Sequence, residues 1–106
     1  MSKRFVKVGL GSDIPEGEVR VFEAEGTGIA IARVNGKLFA IEDVCTHDDG
    51  PLGEGTLDGC EIECPRHGAR FDIRTGAATR MPAAAPVAIF EVKVENGEIF
   101  VELETE

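Results

Sequence analysis

The chain has 106 residues, 42% of them hydrophobic and 29% charged, with a formal net charge of −9. That size fits one domain with a modest core, and the composition is that of a folded chain rather than a disordered one. The acid excess excludes a nucleic-acid partner, because phosphate contacts need clustered Lys and Arg, and no apolar run reaches the ~20 residues of a membrane-spanning helix.

The N-terminal run Met1 to Lys7 is basic and lacks the long apolar stretch of a secretion signal, so a cytoplasmic protein is expected. The next elements read as β. Residues 18–25 mix alternation with β-formers, and Ile29-Ala30-Ile31-Ala32 alternates large and small apolar groups. Asn35-Gly36 then separates this run from Leu38-Phe39-Ala40-Ile41. Asn-Gly between two apolar runs predicts a tight hairpin, since both residues tolerate the positive φ of a type I′ turn. The same pattern closes the chain, where Val87 to Val94 is followed by Asn96-Gly97 and Ile99 to Leu103. No stretch carries a helical period with caps.

The middle is different. Residues 43–86 hold all three cysteines, both histidines and four of the five prolines. This reads as a loop-rich subdomain set into a β scaffold of residues 1–42 and 87–106, with short strands over 60–64 and 69–74 and a stiffened loop from Met81 to Pro86. Charge is uneven as well. Residues 42–63 carry eight acids (Glu42, Asp43, Asp48, Asp49, Glu54, Asp58, Glu61 and Glu63) and no Lys or Arg, while Arg66, Arg70, Arg74 and Arg80 follow closely. Such a pattern is either ordinary solvation or a field that steers a charged partner.

Three cysteines make a poor disulfide framework, and in a reducing compartment they read as ligands or free thiols. Two pairs stand out, Cys45-Thr46-His47 and Cys64-Pro65-Arg66-His67, with sixteen residues between His47 and Cys64. Both histidines of the chain belong to these pairs, and each pair sits beside Pro or Gly (Gly50-Pro51, Pro65, Gly68). Two such pairs point to a metal centre. In an extended strand Cys60 shares a face with Ile62 and Cys64, opposite Glu61 and Glu63, and reads as a packed thiol, although it could replace a ligand if the metal were zinc. Phe39, Phe71 and Phe90 read as core and Gly76 as a turn residue, while Arg66 is either plain surface charge or a docking contact.

Cys-x-His followed by Cys-x-x-His resembles the two boxes of the Rieske [2Fe–2S] family, here Cys45 to Gly50 and Cys64 to Ala69, and the likeness runs through the flanking hairpins. The resemblance implies an all-β Rieske fold, an antiparallel sandwich with an inserted cluster-binding subdomain. It implies one [2Fe–2S] cluster, with Cys45 and Cys64 on one iron and His47 and His67 on the other. Respiratory members carry an extra Cys in each box, forming a disulfide, and a Ser and a Tyr after the second. Here Gly50, Arg66, Ala69 and Phe71 occupy those places. The chain is therefore similar to the low-potential branch, which includes the ferredoxins of ring-hydroxylating oxygenases in aromatic catabolism. That implies an electron carrier without catalysis of its own, a flavoprotein NAD(P)H-dependent reductase and a terminal oxygenase as partners, and a monomer. The alternatives are a small subunit of an assimilatory nitrite reductase and a structural Cys2His2 zinc protein.

Overall fold

The computed structural model describes residues 2–44, 51–65, 68–81 and 85–105. Eleven antiparallel strands among them form three sheets. One sheet holds β1 (Ser2–Leu10), β11 (Glu98–Thr105) and β10 (Val92–Glu95) in that order. A second runs β2 (Val19–Ala24), β3 (Thr27–Val34), β4 (Lys37–Glu42), β9 (Ile89–Phe90). The third, smaller sheet is a meander of β5 (Thr56–Asp58), β6 (Glu61–Glu63), β7 (Arg70–Asp72) and β8 (Ala78–Arg80).

The alternation within β3 organises all three layers. Ile29 and Ile31 turn to one side and pack with Ile14, Ala40, Ile99, Val101 and Leu103, filling the sandwich between the first two sheets. Ala30 and Ala32 turn to the other side, where the small methyls let the third sheet approach closely. Against them lie Ile41, Leu52, Ile62, Cys64, Ala69, Phe71, Ile73 and Val87. A strand buried on both faces thus carries large groups toward one layer and small ones toward the other.

Both Asn-Gly turns form as expected, with Asn35 and Asn96 at φ 53° and Gly36 and Gly97 at φ 79° and 78°. The β2–β3 hairpin turns on Glu25-Gly26 at φ 53° and 83°, the same geometry with Glu in the place usually taken by Asn. The expected run from Val87 to Val94 is two strands, not one. Residues 89–90 pair with β4 in the second sheet, and β10 pairs with β11 in the first, so the chain changes sheets around Glu91. The N-terminal run, read from sequence only for its charge, is a nine-residue strand paired along β11. Of the stiffened loop from Met81 to Pro86, residues 82–84 lie outside the described residues.

Candidate metal centre

The described residues that flank each box are tied to the scaffold or to one another. After β4, the Asp43 N–H donates to the Gly28 carbonyl of β3 (2.9 Å). Its carboxylate then reaches across the loop, and Oδ1 accepts the Gly53 N–H (2.6 Å). Between them runs the segment that carries Cys45 and His47. Gly53 lies in a 3₁₀ turn, Leu52–Glu54, and Leu52 is fully buried. A Cβ on Gly53 would overlap the Val21 side chain of β2, so glycine lets this turn lie flat on the scaffold.

The second box leaves β6 and returns into β7. The Cys64 N–H donates to the Ala69 carbonyl (2.7 Å), and the Gly68 N–H donates to the Cys64 carbonyl (3.1 Å). Gly68 takes φ 76°, a left-handed conformation that costs glycine nothing. The two bases also touch, because the Gly55 Cα lies against the carbonyl of Glu63, the residue before Cys64.

Of the four expected ligands, Cys64 lies among the described residues, while Cys45, His47 and His67 lie outside them. Cys64 is 1% exposed, packed in the layer with Leu52, Ile62, Ala69 and Phe71. It is a free thiol with no side-chain hydrogen bond among the described residues. A buried Cys at the base of a tied segment is one residue that could serve as a metal ligand. Cys60 packs half-buried against the same layer, and its carbonyl accepts the Ile73 N–H (2.9 Å). Phe71 is fully buried, Phe39 and Phe90 pack at the edges of the two cores, and Gly76 turns at φ 82°.

Charges on the outer face of the third sheet are largely paired with one another. Arg70 donates to Glu63 (Nε, 3.0 Å), to Asp58 (Nη1, 3.0 Å) and to Glu61 (Nη1, 3.2 Å). These carboxylates, Glu63 foremost, raise the Arg70 guanidinium above its ordinary value. Arg80 stands 3.7 Å from Glu63. Arg74 donates to both oxygens of Asp72 (3.1 and 2.9 Å), and that bond holds the Asp72 carboxyl below its usual range. Three of the eight acids expected to form a steering field are therefore partly neutralised. Glu42 and Glu54 have no cation beside them among the described residues.

Sequence reasoning missed Asp43, Gly53, Gly55 and Arg70 as supports of the site. Arg70 alone left a signal, lying opposite Glu63 once 64–69 is read as a hairpin loop.

Two tied segments, one with a buried thiol at its base, thus flank the two Cys-His pairs of the sequence. A family model for the Rieske [2Fe-2S] domain matches residues 4–91. The chain belongs to that family, and it carries one Rieske-type [2Fe–2S] cluster as an electron carrier. It is 48% identical over 93 residues to the ferredoxin component of the p-cumate 2,3-dioxygenase system of Pseudomonas putida, covering 86% of this chain and 79% of that one. It is 41% identical over 102 residues to ferredoxin CarAc of Metapseudomonas resinovorans, covering 95% of each. A solved ferredoxin of carbazole 1,9a-dioxygenase from Nocardioides aromaticivorans IC177 superposes with a TM-score of 0.88 at 34% identity, covering 92% of this chain and 95% of that one. Another solved structure, a complex of reduced oxygenase and oxidised ferredoxin in carbazole 1,9a-dioxygenase, matches at a TM-score of 0.86 and 42% identity, covering 92% and 91%.

Proposed function

We propose that this chain shuttles single electrons from an NAD(P)H-dependent flavoprotein reductase to a terminal ring-hydroxylating oxygenase in aromatic catabolism. Cys45 and Cys64 hold one iron of the cluster, and His47 and His67 hold the other. The observation that carries the reading is the likeness over most of the chain to dioxygenase ferredoxin components and to a ferredoxin solved in complex with an oxygenase. The bound cluster supplies a one-electron store.

The chain's own residues do the rest. Cys64 enters from the buried side, and the tied loop bases limit reorganisation when charge changes. Ala69 and Phe71, both fully buried, present no hydroxyl. Hydrogen bonds to cluster sulfur stabilise the reduced state, so their lack suits a low potential. Residues 43–86 form the cluster-binding subdomain, a division supported by the confinement of the third sheet to residues 56–80. The protein works as a monomer in the cytoplasm. No helix among the described residues is long and apolar enough to cross a membrane.

Iron and acid-labile sulfide analysis with EPR of the reduced protein tests the cluster. Stopped-flow reduction by a dioxygenase-type reductase with NADH, then reoxidation by a terminal oxygenase, tests the role. Zinc in place of iron, or no transfer to an oxygenase, would overturn it.

A further inference from the structure

Arg70 does more than join strands. Its side chain is 24% exposed and reaches from β7 across β6 to β5, meeting Glu63 and Glu61 on one neighbour and Asp58 on the next. All four side chains lie on the face opposite Ile62 and Phe71, so the core does not need this arginine.

Glu63 immediately precedes Cys64, so the two Cα atoms are about 3.8 Å apart. Its carboxylate therefore belongs to the residue next to the Cys64 thiol, on the opposite face of the strand. With Arg70 and Arg80 present, the three carboxylates sum to −1, and without Arg70 they sum to −2.

We propose that Arg70 is a positioning residue for electron transfer, whose charge cancels carboxylate charge beside Cys64 and thereby raises the reduction potential, while its forked geometry holds β5, β6 and β7 in register. The proposal rests on the assignment of Cys64 as a cluster ligand. An added negative charge near the centre opposes the incoming electron, so losing Arg70 lowers the potential. Lysine keeps the charge but cannot make the three-way fork. Charge and geometry therefore separate in the variants.

The test is voltammetry at low and at high salt on the iron-loaded protein, with thermal unfolding alongside. Arg70→Met is expected to lower the midpoint potential, more at low salt than at high, and to lower the melting temperature. Arg70→Lys is expected to lower the melting temperature while leaving the potential near that of the wild type. Arg70→Met with Glu63→Gln is expected to bring the potential back. Should Arg70→Met fail to fold, Glu63→Gln alone is expected to raise the potential, and Glu61→Gln, two residues further from Cys64, to raise it less. Equal potentials across a set of loaded variants, or a shift in Arg70→Lys as large as in Arg70→Met, would overturn the proposal. A wild-type protein without a Rieske spectrum would instead overturn the ligand assignment beneath it.

Discussion

Replacing Gly55 with Ala should weaken the protein and loosen its cluster together. Gly55 sits at φ −82°, ψ −176°, a backbone that any residue can adopt, so strain in φ is not the issue. Crowding is. An added Cβ would overlap the carbonyl oxygen of Glu63 and lie 3.0 Å from its carbonyl carbon and 3.1 Å from the Leu52 carbonyl oxygen. All three are backbone atoms, so no side chain can swing aside. Either β5 must part from β6 or the Leu52 turn must lift from the scaffold. Overpacking costs about 1–3 kcal/mol, and a contact that only backbone movement relieves belongs at about 3. At about 4–8 °C per kcal/mol for a domain near this size, the melting temperature should fall by about 12–24 °C. Because Glu63 precedes Cys64, the displacement reaches the proposed ligand, so visible absorbance should bleach faster under chelator. Gly28→Ala is the control. Its Cβ would meet only the Asp43 side chain, at 3.5 Å, an ordinary contact. If Gly55→Ala melts and bleaches like Gly28→Ala, the two loop bases are not coupled through this contact.

Other substitutions probe the site itself. Cys64→Ala should abolish the Rieske spectrum while Cys60→Ser keeps it; the opposite result in iron-loaded preparations would reverse the assignment of these two thiols. The midpoint potential should lie near about −150 mV rather than about +300 mV, and Ala69→Ser with Phe71→Tyr should raise it where the buried hydroxyls reach sulfur, as voltammetry will show. Asp72, held low by Arg74, contributes stability above the carboxyl's unfolded value near 3.8 and loses it as pH falls through the lower folded value. An acid titration followed by circular dichroism should therefore flatten at its acid end in Asp72→Asn. Because Asp58, Glu61 and Glu63 are already paired with Arg70, they should contribute little to the salt dependence of electron transfer to a partner, and Glu42 and Glu54 should contribute more than these three. Stopped-flow rates should then lose more of their salt dependence in Glu42→Gln with Glu54→Gln than in Asp58→Asn with Glu61→Gln.

Local chemistry made much of this protein legible without a structure. Asn-Gly between apolar runs dictates its turn because φ is positive at both positions, whatever the rest of the chain does. The two Cys-His pairs point to a metal centre because their residue types have few other uses at that spacing, the resemblance to the Rieske boxes implies which one, and alternating Ile and Ala in residues 29–32 announces a strand with one bulky and one slim face. Tertiary structure decided what those faces meet. Nothing local shows that the Ala face would meet the third sheet, that residues 87–94 would divide between two sheets, or that Ser2 to Leu10 would pair with the distant β11, since each depends on a partner far along the chain. The supports of the site were hidden for the same reason. Asp43 and Gly53 are ten residues apart and Gly55 and Glu63 are eight apart, and only folding shows that one pair ties a loop and the other leaves no room for a side chain.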